Sequence, residues 1–374
     1  MLIGVPKECK DGEFRVGMTP EGVATLAQRG HSILVQKQAG ASSGFTDAAF
    51  EAAGAKIVAS AVELYAADLI VKVKELQPME FPFLKPGQMI FAYLHVAPDP
   101  ALAQAMLARE VIGIAYETVG DEHCGLPLLK PMSMIAGRLA ITIGAWGLQL
   151  ANGGKGTLIS GGPGVPPGRV LVLGAGNAGS HATHVAVSLG AEVTVLDIDV
   201  QRLDALKNIY ADGIKTAHAN PANIATEIRS TDLVVGAILN PGNLAAKILT
   251  RAMLRSMEPG SVLVDVCIDQ GGLSETSRPS SHSNPFYIDE GVVHYCVGNM
   301  PSAVARSATL ALASATLPYI RMLANHGLAG ACASEPGLAY GVQIYRGHIS
   351  HAHIARDLNL PYTPLAKLLG QTNP

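Results

Sequence analysis

Short apolar runs alternate with amphipathic helical runs along almost the whole chain, the pattern of βαβ units built on parallel sheets. In the first third, residues 2–5, 33–35, 56–58, 69–73, 89–94 and 112–115 read as strands. The intervening helices carry their own start and stop signals. Thr19 followed by Pro20 is a cap with proline at the first helical position, and Gly30 closes that helix; Asp47 and Gly54 bracket another in the same way. A long helical segment is expected over residues 133–151. Residues 152–168, with seven glycines and three prolines and no hydrophobic period, form a loop. A second series of apolar runs then begins, at 170–173, 193–196, near Lys215, 233–236, 262–266 and 293–297, six strands in all. A helix-rich region follows from about Ser302.

Composition narrows the class. With 374 residues the chain has the length of two to three domains at roughly 100–200 residues each, and two are expected. Hydrophobic residues are 48% and net charge is −3, which excludes a disordered chain and leaves no basic excess for neutralising nucleic-acid phosphates. The run 170–191 lacks Asp, Glu, Lys and Arg but contains Asn177, Ser180, His181 and His184, so no membrane span is expected. Five scattered cysteines and an N-terminus without a signal-peptide pattern point to a reducing cytoplasm.

The strongest local motif follows the first strand of the second series: Gly174-Ala175-Gly176-Asn177-Ala178-Gly179. Gly174 suits a tight turn, Gly176 lets a pyrophosphate approach the backbone, and Gly179 lets helix and strand pack closely. The next strand ends in Asp197, eighteen residues after Gly179, where a carboxylate can accept the ribose hydroxyls of NAD and repel a 2′-phosphate. The bland alternative is that Asp197 only caps the next helix, and Arg202 nearby leaves NADP open.

Parallel sheets place ligands beyond the carboxyl ends of their strands. The polar residues there are Lys74, His95, Glu117 and Asp269, with Arg15 in the loop after the first strand. An arginine can hold a carboxylate through two parallel bonds, a lysine can polarise a carbonyl oxygen, and a histidine can exchange protons near neutral pH. Each has an ordinary reading beside it: Lys74 as a solvated strand end, Arg15 as a surface charge, His95 as a satisfied strand-edge histidine. His348, His351 and His353 lack Cys or acidic neighbours and read as a solvated helix face, so no metal site is expected.

Taken together, Gly4 through Glu8, Glu13 through Val16, Val71 through Glu75, Tyr93 through His95, Ala115 through Thr118, Pro131 through Ser133, Asp265 through Gly272, Asn299 through Pro301 and the glycine loop make the chain resemble the alanine dehydrogenase family over its whole length. Transhydrogenases share a related nucleotide-binding domain. The resemblance implies an α/β fold of two Rossmann-like domains with parallel sheets: an NAD domain, 128–307, inserted into a discontinuous catalytic domain, 1–127 and 308–374, with substrate in the cleft between them. It implies a homohexamer acting on L-alanine, pyruvate and ammonium. It puts Arg15 and Lys74 on the substrate, makes His95 the acid/base and Asp269 its catalytic companion, and gives NAD contacts to Ser133, Asn177, Ala178, Asp197, Arg202, Leu239, Ile268, Asp269, Gly298, Asn299, Met300, Pro301 and Ser302, besides Gly174, Gly176 and Gly179. Relatives often offer a serine near Ala219-Asn220, and this chain has none there. A related amino-acid or opine dehydrogenase and a non-catalytic NAD-binding module are the competing expectations.

Overall fold

The computed structural model describes residues 1–121, 125–238 and 245–370. They divide into two compact units, one of residues 1–132 and 304–374, the other of residues 133–303.

In the first unit, β1 (Leu2–Val5), β2 (Ser32–Gln36), β3 (Lys56–Val58), β4 (Leu69–Val71), β5 (Met89–Ala92) and β6 (Ile112–Ala115) form a parallel sheet in the order β3-β2-β1-β4-β5-β6. In the second, β7 (Arg169–Leu173), β8 (Glu192–Asp197), β9 (Lys215–His218), β10 (Leu233–Gly236) and β11 (Val262–Asp265) continue into a hairpin of β12 (Phe286–Asp289) and β13 (Val292–Tyr295). Its order is β9-β8-β7-β10-β11-β13-β12, with only β12 antiparallel. Counting the parallel strands alone, both units therefore carry the 3-2-1-4-5-6 order of a dinucleotide-binding sheet. The first is extended past β6 by β14 (Val342–Tyr345) and β15 (His348–Ile349), each antiparallel to the strand before it, which the C-terminal segment supplies.

Burial on both faces explains the continuous apolar strands. In the second sheet Val170, Val172, Val193 and Val195 enter one core, while Leu171, Leu173, Leu196 and Leu263 enter the core on the opposite face. Helix starts follow the expected chemistry. Thr19 accepts a bond from Gly22 N at 3.2 Å at the head of the Pro20–Ala27 helix. The Asp47–Ala52 helix is capped by Thr46 rather than Asp47, which lies one residue inside and adds its charge to the first turn. The long helix covers Lys130–Gly147, ending at the glycine that opens the next turn, earlier than the expected 151.

The C-terminal histidines differ from the helical reading. His348 lies in β15, exposed; His351 directly precedes the Ala352–Asp357 helix without a side-chain capping bond, and only His353 is inside it. Among the described residues no group of His, Cys, Asp or Glu is arranged to hold a metal ion, and no helix is long and apolar enough to cross a membrane.

Candidate active site

In each sheet the strand order reverses once, between β1 and β4 in the first unit and between β7 and β10 in the second. Such reversals open a crevice at the carboxyl ends of the strands. The candidate residues of the first unit come from four strands that lie side by side. Arg15 is in the loop after β1, Lys74 follows β4, His95 follows β5 and Glu117 follows β6. The ladder between β4 and β5 runs on past their formal ends, with Lys72 N donating to Phe91 O at 3.1 Å and Tyr93 N to Val73 O at 3.0 Å. Lys74 and His95 thus stand one residue or two beyond a paired, ordered edge.

Arg15 is 2% exposed. Its Nε donates to Glu13 Oε1 at 2.7 Å and its Nη2 to Glu13 Oε2 at 2.5 Å, a side-on pair with both side chains buried. Nη1 points at Met132 Sδ, 2.9 Å away. Burial alone would lower the Arg15 pKa, but the bonds and charge of Glu13 outweigh it and raise it. The backbone on either side is fixed too: Thr309 Oγ1 accepts from Val16 N at 3.2 Å and Ser43 Oγ donates to Phe14 O at 2.9 Å. Arg15 is therefore no surface charge.

Lys74 is half-buried. Two residues before it, Lys72 is fully buried between Glu80, 2.8 Å away, and Glu8, 3.2 Å away, and Tyr65 Oη donates to the same Glu80 oxygen at 2.5 Å. Burial pulls the Lys72 pKa down, but the two carboxylates push it above its ordinary value, so it stays charged. Glu8 also accepts from Val73 N at 2.6 Å, tying the start of the chain to the backbone just before Lys74. Sequence reasoning missed this buried triad. Its only trace was a lysine at an inward position of an otherwise apolar strand.

His95 is exposed while Leu94 and Val96 on either side are fully buried. Its backbone is left-handed, with φ 46°. Glu117 accepts from His95 N at 2.8 Å and from Leu94 N at 3.2 Å.

The second unit holds the glycine loop. Gly174 has φ 103°, a conformation that favours glycine, and a Cβ there would meet Ala237 O at 2.5 Å. At Gly179 a Cβ would lie 1.7 Å from Gly174 O, so no side chain fits under the turn. Gly176 differs: its φ is −71°, and a Cβ would meet only Arg202 Nη1, at 3.6 Å. The folded chain thus leaves room for a side chain at 176, unlike at 174 and 179. The Asn177–Ser188 helix begins there without a side-chain cap, so its first N–H groups are disposed to receive an anion. Ser133 sits one helical turn before Gly137, whose Cβ would lie 2.0 Å from Ala178 O; the face bearing Ser133 therefore backs the loop.

Asp197 is buried, and it does not cap the following helix. Asp199 does so, accepting from Gln201 N at 2.9 Å. Asp197 instead accepts from Ala175 N at 2.5 Å and Asp199 N at 2.8 Å, tying the glycine loop to the end of β8. Arg202 is exposed and pairs with Asp199 at 3.3 Å. Near Asn220, where no serine is present, the asparagine caps the Pro221–Glu227 helix by accepting from Asn223 N at 2.9 Å.

Asp269 lies in an exposed turn after β11, with Ile268 buried beside it. Its Oδ2 accepts from Asn299 N at 3.3 Å, and a Cβ on Gly298 would meet its Oδ1 at 2.8 Å, so the turn and residues 298–299 are brought together. Met300, Pro301 and Ser302 follow in a buried 3₁₀ turn. The turn holding Asp269 hangs from Asp265, which accepts from Cys267 N and Leu273 N, each at 2.9 Å, and from Ser277 Oγ at 2.5 Å. Leu239, an expected cofactor contact, lies outside the described residues. The loop, with room at Gly176, uncapped N–H groups beyond it and a carboxylate at the end of β8, fits a dinucleotide.

Comparison with known proteins agrees in both halves. Residues 4–136 match the family model "Alanine dehydrogenase/PNT, N-terminal domain" and residues 140–352 match "Alanine dehydrogenase/PNT, C-terminal domain". The alanine dehydrogenase of Halomonas elongata is 47% identical over 371 residues, covering 99% of this chain and all of the relative. Alanine dehydrogenase 2 of Staphylococcus aureus (strain USA300) is 45% identical over 370 residues with the same coverage. A solved L-alanine dehydrogenase superposes with a TM-score of 0.93 at 42% identity, over 96% of this chain and 99% of that one. A transhydrogenase from Sinorhizobium meliloti shares the fold, with a TM-score of 0.82 at 24% identity over 93% and 100% of the two chains.

Proposed function

The chain belongs to the alanine dehydrogenase/PNT family, and from that premise we propose that it catalyses the reversible reaction L-alanine + NAD⁺ + water ⇌ pyruvate + ammonium + NADH + H⁺. The observation that carries this reading is the delivery of Arg15, Lys74 and His95 by adjacent strands β1, β4 and β5, at the point where the order of the first sheet reverses. A binding module would need none of the three.

On this reading residues 1–127 and 308–374 act on the substrate and 128–307 carry the cofactor. NAD would be held by Gly174, Gly176, Asn177, Ala178, Gly179, Asp197 and Arg202, with Ser133, Ile268, Asp269 and residues 298–302, and it supplies the hydride acceptor when bound. Arg15 holds the substrate carboxylate. Lys74 adds a second cation and steadies negative charge as it develops on the substrate oxygen. The substrate amine reacts neutral, because an ammonium has no electron pair with which to form the C=N bond. His95 takes a proton from the water that attacks the iminium carbon, at an imidazole nitrogen, and returns one as ammonia leaves. Asp269 orients the water or the amine.

The test is the rise of NADH absorbance when the purified protein meets NAD⁺ and L-alanine at mildly alkaline pH, with D-alanine, glycine, L-serine and NADP⁺ in parallel. Signal confined to L-alanine with NAD⁺ is expected. Signal with another amino acid alone moves the assignment within the family; none, with NADH binding intact by fluorescence, removes the dehydrogenase reading. The same reading extends to a homohexamer in the cytoplasm. Trp146, Leu150, Leu158 and Val165, all exposed within one short stretch of the second unit, support an assembly that covers them. Light scattering on the purified protein measures its mass directly.

A further inference from the structure

Glu117 has no part in the reaction as set out above, yet it makes two bonds to the segment that carries His95. Its Oε1 accepts from His95 N at 2.8 Å and its Oε2 from Leu94 N at 3.2 Å, so one carboxylate bridges two consecutive N–H groups. The turn it spans is a costly one. His95 has φ 46°, in the left-handed region, where a residue with a Cβ is strained and persists only if its surroundings fix it. Leu94 and Val96 are fully buried on either side, and His95 alone is exposed. Glu117 is itself anchored. It sits in the 3₁₀ turn Tyr116–Thr118 directly after β6, and the ring of Tyr116 is wedged edge-on between Phe91 at 4.4 Å and Tyr93 at 5.0 Å. The strand next to β5 thus reaches across and holds the backbone of its neighbour's exit.

We propose that Glu117 is a positioning residue for His95: its carboxylate clamps the left-handed turn that presents the imidazole at the end of β5. The proposal rests on the reading of His95 as the acid/base. Orientation of a proton-transfer group is a large part of its effect, because small misplacement removes the near-attack geometry. A clamp of this kind acts on turnover and leaves cofactor and substrate binding largely alone.

The experiment uses Glu117→Gln in the full chain, a change of nearly equal volume that leaves only one oxygen to accept two N–H groups. Turnover should fall at least tenfold in both directions. The Michaelis constant for pyruvate and the NADH dissociation constant should stay within twofold. Folded Glu117→Gln protein with turnover within twofold of the parent overturns the proposal, as does a raised Michaelis constant for pyruvate with turnover unchanged. If Glu117→Gln does not fold, Glu117→Asp keeps the charge with a shorter reach and should lose turnover with the same constancy of binding; parental turnover there overturns the proposal. A melting-temperature cycle with His95→Gly separates the two readings. Glycine adopts the left-handed turn without strain, so losing the clamp relieves nothing there, and the shift caused by Glu117→Gln should be larger in that background than in the parent, where relaxation of the turn returns part of the loss; an equal or smaller shift overturns the clamp. Full activity of His95→Ala would instead sink the acid/base reading, and the melting cycle would then decide on the clamp by itself.

Discussion

Arg15 shows what a single residue can be asked to do. Its guanidinium is buried, held side-on by Glu13, and its flanking backbone is bonded to Ser43 and Thr309. Removing it has two consequences that separate in measurement. A charged hydrogen bond to substrate is worth on the order of 1.5–3 kcal/mol, so Arg15→Ala should raise the Michaelis constant for pyruvate by roughly 10- to 150-fold. The same change strands the Glu13 carboxylate in a buried site, and breaking such a pair costs about 3–5 kcal/mol of stability. Chemical denaturation and steady-state kinetics on one protein read both. An unchanged Michaelis constant would remove Arg15 from substrate binding while leaving its structural part intact. The arginine was visible in the sequence as a charge in a loop after a strand, but its environment was not. Glu13 stands two positions away, and no periodicity distinguishes a carboxylate that pairs with Arg15 from one that faces water.

At the scale of elements, the three glycines of the loop after β7 separate structural from functional need. A Cβ at Gly179 collides with Gly174 O, so Gly179→Ala should disturb the loop itself, lowering both NADH affinity and melting temperature. A Cβ at Gly176 meets nothing closer than 3.6 Å, so Gly176→Ala should leave the melting temperature of the free protein near the parent while NADH binding weakens at least tenfold. Fluorescence titration beside thermal melting checks the pair. Parental NADH affinity in Gly176→Ala would mean that no phosphate approaches that backbone. The loop was legible because spacing, strand and helix agree locally. The hairpins were less so. β12 pairs with β13 through Glu290 and Gly291, at φ 50° and 77°, and β14 pairs with β15 through Arg346 and Gly347, at φ 44° and 83°. Both are two-residue turns with positive φ at each position, which normally announce themselves as Asn-Gly or Asp-Gly. Glutamate and arginine at the first position hide them, and His348, whose spacing to His351 suits a helix face, lies in β15 instead.

For the whole molecule, order along the chain and order in space part company. Sheet order is a long-range property that no window of sequence contains, and here β6 pairs with β14 across more than half the chain, with Ile114 opposite Val342. The inserted segment 133–303 is continuous, whereas the first unit must join residues from both chain ends. Closing a loop of roughly 170 unstructured residues costs about 4–5 kcal/mol, a cost reduced when the insert is folded. Destabilisation should therefore spread in one direction. Lys72→Met leaves Glu8 and Glu80 buried without their cation and should cost about 3–5 kcal/mol in the first unit. Hydrogen exchange should then show lost protection in β1–β6 with β7–β13 still protected. Gly236→Ala, whose Cβ would lie 1.6 Å from Leu273 Cδ2, damages the second unit and should loosen both sheets, because the host loses the compact insert that brings its two segments together. Equal spread from the two substitutions would show that the units fold as one, and confinement of each effect to its own sheet would show that the insert contributes nothing to closing the host.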